Sequence, residues 1–172
     1  SIGDSYGYTV QDIRAARQAN LNLEQRRANT AMRVLMQLEN SIAFFGDAAN
    51  NLDGFFSNPN VPEAAVPADG NLASTTFESK SPDQIIRDVN KLINDIVINT
   101  KEVEKANAVL FPTSTWAYLT ATPRSSNSDT TIASFLKTNH PEITTWDTLV
   151  ELETAGPGDT KMMVAYNKNE DK

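Results

Sequence analysis

Acid–base or nucleophilic catalysis needs side chains that converge, and this 172-residue chain offers few of the usual types. It has no cysteine, which removes thiolate nucleophiles, disulfides, thiolate zinc sites and iron–sulfur clusters together. Its one histidine, His140, sits beside Pro141 where a short helical pattern ends, and is expected to be a surface turn residue. Ser134, His140 and Asp147 can be written down as a triad, but no G-x-S-x-G elbow accompanies them. The densest group of oxygen ligands is Asp47, Asn50, Asn51, Asp53 and Gly54. Read as a calcium loop it fails, because Ala49 takes the first ligand position and Asn60 the twelfth. Neither phosphate-loop motif occurs, and Gly156-Pro157-Gly158 is a turn. No catalytic, metal or cofactor-binding residue is assigned, no cofactor is expected, and the chain is not expected to be an enzyme.

Charge separates the chain into two parts. Its net charge is −7, yet residues 1–46 carry Arg14, Arg17, Arg26, Arg27 and Arg33 against four acidic residues, while the remainder holds ten basic groups against eighteen acidic ones. These arginines either contact nucleic acid or form the solvated face of an amphipathic helix, and the acidic bulk argues against general nucleic-acid binding. Apolar residues make up 40% of the chain, enough to support a core. The runs Ile42–Phe45 and Val109–Phe111 fall far short of the ~20 residues that cross a bilayer, and residues 1–8 do not resemble a signal peptide, so a soluble chain without a membrane partner is expected. Helical patterning close to the start and the lack of an initiating Met suggest a piece of a longer chain.

The elements that would position any interacting side chains follow from periodicity and caps. A first helix is expected from Thr9, whose hydroxyl can cap it, to about Ala19, with Asp12 in the first turn. Asn20–Glu24 is a break or kink, and Asn22 can cap a second helix. There Ala28, Ala31, Met32, Leu35, Leu38, Ile42 and Phe45 recur at steps of three and four, giving one apolar stripe that Gly46 ends. If Val10 to Phe45 is nearly continuous it spans roughly 54 Å at 1.5 Å per residue, against a radius of gyration of about 16 Å for a compact chain of this size. Its stripe then needs cover from elsewhere in the chain or from a neighbouring subunit. Otherwise the break is a turn and two helices fold back on each other.

Residues 47–80 read as a long connection with a β-hairpin or two short strands, in which Phe55 and Phe56 either anchor another subunit or pack beneath the loop. Ser81-Pro82-Asp83-Gln84 is a capping box that opens an amphipathic helix to about Thr100. Ala108–Phe111 reads as a buried strand stopped by Pro112, and Thr113 or Ser114 as the cap of a short helix. A surface loop over 122–129, a helix over Thr131–Thr138, a strand region over Ile143–Leu152, a turn over 155–159 and a strand over Met162–Tyr166 complete the pattern. Helices alternating with strands after residue 80 indicate an α/β or α+β subdomain.

One further signal lies in the order of the motifs. The arginine-bearing helix ending in Phe44-Phe45-Gly46-Asp47, followed by Asp53-Gly54-Phe55-Phe56 and Ser57-Asn58-Pro59-Asn60-Val61, resembles tailed-phage major capsid proteins of the Hong Kong 97-type fold. Asn107–Pro112 with Tyr118-Leu119, then Thr130–Ile132, Phe135-Leu136, Asn139–Ile143 and Met163–Lys168, continue the likeness in order. The resemblance implies an α+β capsid fold fragment, with residues 1–80 as spine helix and connecting loop of a peripheral domain and 81–172 as an axial α/β subdomain. It implies a structural protein of an icosahedral phage or prophage head, or alternatively an encapsulin-like compartment shell. Implied partners are further copies of the chain in pentamers and hexamers, a scaffold protein, a portal and packaged DNA bound without sequence specificity. The implied location is the virion capsid, and the bacterial cytoplasm during assembly. The candidate subunit-interface residues are Arg26, Arg27, Arg33, Phe55 and Phe56.

Overall fold

A computed structural model describes residues 9–11 and 23–168. The expected turn at Asn20–Asn22, most of the first helix, and Arg14 and Arg17 lie outside the described residues. Two compact units divide the chain, Ser1–Val61 and Pro62–Lys172. Residues 67–80 are tied to the helix that follows them.

In the first unit, helix α1 (Leu23–Phe45) occupies 23 residues, roughly 34 Å of rod. Gly46, at φ +79°, ends it, and a minimal antiparallel hairpin follows, β1 (Gly46–Asp47) against β2 (Leu52–Asp53). Between them a 3-10 turn over Ala48–Asn50 is capped by Asp47, whose carboxylate accepts the Ala49 amide at 3.0 Å and the Asn50 side-chain amide at 2.5 Å. One of the two carboxylates of the oxygen-rich group, that of Asp47, is thus engaged in holding a turn.

The second unit is a small mixed sheet covered by helices. Strand β3 (Ala108–Phe111) is central, parallel to β4 (Thr145–Thr148) and antiparallel to β5 (Val164–Tyr166). A strand flanked on both edges and covered by helices must be apolar on both sides, which is why Ala-Val-Leu-Phe serves there. Helix α2 (Pro82–Asn99) opens on the full capping box, with the Ser81 hydroxyl accepting the Gln84 amide and the Gln84 side chain accepting the Ser81 amide. Its Ile85, Ile86, Val89 and Ile93 pack into one core with Val109 and Phe111, with Leu119 of α3 (Thr113–Ala121), and with Ile132 and Leu136 of α4 (Ile132–Asn139). Phe111, Trp116 and Trp146 form a ring cluster with centroids 5.1–6.2 Å apart.

Three local expectations are corrected. The strand region over Ile143–Leu152 narrows to Thr145–Thr148, because its partner β3 runs out at Pro112; the last bond, Leu149 N–H to the Phe111 carbonyl, is followed by a 3-10 turn over Val150–Glu153. Neither Thr113 nor Ser114 caps α3 with its side chain. Pro112 holds the cap position, and the Glu153 carboxylate accepts both the amide and the hydroxyl of Ser114 at 2.7 Å. His140 does close α4, but its ring is mostly buried, with Nε2 2.7 Å from the Asn90 Oδ1 and Nδ1 2.7 Å from Glu142.

The Glu153 clamp has a pH signature. The Ser114 amide, with help from the hydroxyl, holds the Glu153 carboxyl below its ordinary value, and Arg87 does the same most strongly to Asp69. Carboxyls with lowered folded pKa stabilise the fold above their unfolded values, near 4, and lose that contribution as pH falls through the lower folded values. Urea midpoints are therefore expected to be flat from pH 7 to about 5 and to drop below about 4.5. In Glu153→Gln the drop should be shallower; an identical acid profile would remove Glu153 from this account.

Candidate functional site

The stripe of α1 is where the sequence places the interaction surface, and the structure leaves it open. No described residue of the helix is buried. Ala31, Leu35 and Ile42, along its centre, are half-buried, while Met32 (58% exposed), Met36 (56%), Val34, Leu38 and Phe45 face outward. An isolated helix is marginal in water, and most helical stability in proteins comes from packing an apolar face. Covering these side chains would contribute on the order of 1 kcal/mol each. Arg26 and Arg33, one heptad apart, share the face opposite the stripe and are exposed, and Arg27 flanks the stripe half-buried. The helix therefore presents an apolar side and a cationic side.

What anchors this rod is the loop after it. The amides of Phe55 and Phe56 donate to the carbonyls of Ala43 and Phe44, each at 2.9 Å, so the loop satisfies two acceptors that every helix C-terminus leaves open. The Ser57 hydroxyl accepts the Gly54 amide at 2.8 Å. Phe56 is buried at the middle of a ring cluster, 5.3 Å from Phe44, 5.5 Å from Phe45 and 5.4 Å from Phe55. Of the two candidate anchors, Phe56 therefore packs beneath the loop within its own chain and Phe55 remains exposed. The Gly-Asp and Gly-Phe-Phe motifs, separate in sequence, meet here as one capping device. A Cβ on Gly54 would collide with the backbone of Phe44 to Gly46, and one on Gly46 with the Leu52 carbonyl in an already left-handed conformation. Gly54→Ala is expected to destabilise the first unit by about 3 kcal/mol, measured as loss of far-UV helicity in urea; an unchanged midpoint would show that the loop does not cap the helix.

Nothing among the described residues assembles into a catalytic set. His140 pairs with Asn90 and Glu142 and with neither Ser134 nor Asp147. A shallow hollow between α3 and α4 is lined by Thr120, Thr131, Ala133, Ser134, Lys137 and Thr138, with no carboxylate or histidine. Among the described residues no cluster of acidic and histidine side chains suits a metal ion, and no helix is long and apolar enough to cross a membrane.

A charged knot escaped the sequence reading. The Lys80 ammonium and Asp88 carboxylate, both fully buried, lie 2.5 Å apart. The ammonium also donates to the Pro67 carbonyl at 2.8 Å and lies 3.2 Å from Asp69. Arg87 bridges Asp69 and Asp88 at 2.6 and 2.5 Å. This knot fastens residues 67–80 to α2. Four charges spread from 69 to 88 carry no local spacing signature that would have announced it.

The family model described as "Major capsid protein" matches residues 1–172. No curated protein matches the chain. Among solved structures the chain is similar to "The capsid of Myoviridae Phage XM1", with a TM-score of 0.73 at 20% identity over 94% of this chain and 54% of that one. The α+β fold is therefore shared with a phage capsid protein, and the chain spans about half that relative's length.

Proposed function

The chain belongs to the major capsid protein family, and from that premise we propose that it is a structural tile that self-assembles into the icosahedral head of a tailed phage or prophage. The observation that carries this is α1, 23 residues long, in which no residue from Gln25 to Phe45 is buried and Met32, Val34, Leu38 and Phe45 are exposed. A helix left uncovered in a single molecule gains its burial when copies are laid side by side, and a closed shell supplies such neighbours at every position. On this reading α1 is the spine of a peripheral domain in a Hong Kong 97-type tile, and residues 81–172 build the axial subdomain around fivefold and sixfold centres. Scaffold protein, portal and packaged DNA are its expected partners, in the host cytoplasm during assembly and then in the virion. The likeness to a phage capsid favours the head shell over an encapsulin-like compartment; a portal gene beside this one would agree, and a cargo-enzyme gene would not.

Arg26, Arg27, Arg33 and Phe55 are proposed as subunit contacts along and beside the spine. Electron microscopy of the full-length protein over a range of salt should show capsomers or closed shells. Monomers under every condition would overturn the proposal.

A further inference from the structure

The loop Gly70–Ser74 carries the most exposed apolar side chain of the second unit. Leu72 is 95% exposed and sits at φ +57°, and the next residue, Ala73, sits at φ +56°. A left-handed conformation is disfavoured for residues with a Cβ, and two in succession in a surface loop is a local cost that persists only where the surroundings impose it. Gly70 and Asn71, the types that enter that region readily, stand immediately before, yet neither occupies it. The strain thus falls on the residues that carry apolar side chains.

The loop is also held firmly. The Gly70 amide donates to the Ser74 carbonyl at 3.0 Å and the Ser74 amide to the Asn71 carbonyl at 3.2 Å. Ser74, Thr76 and Ser79 hydroxyls are linked in a chain at 2.9 and 3.1 Å, and a Cβ on Gly70 would strike the Ser79 hydroxyl. On one side Asp69 joins the buried Lys80 knot while its carbonyl accepts the Gln84 side chain, and on the other Lys80 itself is fully buried. The backbone that displays Leu72 is pinned at both ends before any contact forms, so docking costs little further backbone entropy and only the leucine rotamers remain to be fixed.

We propose that Leu72 is a preformed knob that inserts into a second copy of this chain when subunits assemble. This rests on the shell function proposed above, which makes another copy the partner always present at the surface.

The test uses the full-length protein with p-benzoylphenylalanine at position 72, irradiated before and after assembly. Cross-linked dimers and higher ladders are expected only in assembled material, with the linked peptide mapping to the same chain sequence at a site other than residue 72. Links confined to one molecule, or no links in well-formed shells, would overturn the inference while leaving the shell function standing. If the unmodified protein forms no shells, both fall together. Two variants add an independent reading. Leu72→Asp, at a fully exposed site and with a residue that enters the left-handed region more readily than leucine, should not lower the melting temperature and should raise the protein concentration needed for assembly about tenfold or more. Leu72→Gly should raise the melting temperature, by about 2–4 °C, and impair assembly equally. Shell formation by both variants at the wild-type concentration would refute a contact at Leu72.

Discussion

Lys80→Met by itself is expected to lower the stability of the chain by about 3 kcal/mol. The substitution leaves the fully buried Asp88 carboxylate with Arg87 alone and removes the ammonium that also holds the Pro67 carbonyl. Removing one partner of a buried pair exposes the other to the full penalty of an unbalanced charge in a poorly solvated place, whereas removing both does not. The double variant Lys80→Met/Asp88→Leu should therefore recover to within about 1 kcal/mol of wild type, since Arg87 and Asp69 can still pair at the surface. Urea unfolding of the four proteins of this cycle gives the coupling directly. Additive losses would mean that the two charges act independently and that residues 67–80 are fastened by something else. The Leu72 loop hangs from this knot, so the single variants should also loosen residues 69–76, visible as faster amide exchange there.

In Met32→Glu/Leu38→Glu the opposite division is expected: folding intact and assembly lost. Both side chains are exposed on α1 and neither is in the core, so charging them removes little packing within the molecule, and stability in urea should fall by no more than about 0.5 kcal/mol. In a shell, each would place an unpaired carboxylate in a packed interface at a cost of a few kcal/mol per subunit, enough to raise the assembly threshold ~100-fold or more. Sedimentation and electron microscopy of the full-length variant check this. Shells at the wild-type threshold would mean that the stripe faces solvent in the assembly, and the role assigned to α1 would fail. Gln37→Glu, exposed on the opposite face of the helix and outside the proposed contacts, is the internal control for charge alone.

How much was legible beforehand depends on the range of the interactions. The capping box at Ser81–Gln84, the stop at Gly46, the apolar run of β3 and its end at Pro112 are set by residues within a turn of one another, and each was readable from spacing alone. The stripe of α1 was readable for the same reason, since helical periodicity depends on local geometry and not on what eventually covers it. His140 shows where this reading stops. Its place beside Pro141 correctly suggested a helix end, but its ring lies against Asn90, fifty residues away in sequence, and no pattern near it announces that contact.

Phe55 and Phe56 are adjacent and chemically identical, so composition treats them alike. The two amides that cap α1 turn their rings differently, burying Phe56 among Phe44, Phe45 and Phe55 and leaving Phe55 at the surface. The Lys80 knot likewise exists only because a non-helical segment is folded across the start of α2, bringing Asp69 and Pro67 to a lysine that sequence alone would place in water. Amino-acid order by itself determined α1, α2, α4 and the central strand β3, the lack of thiols and the ordered likeness to capsid proteins, because these rest on short-range geometry and residue type. Tertiary structure alone decided which side chains are enclosed and which are offered outward, because burial is set by distant segments meeting, and that is where an assembling protein keeps its function.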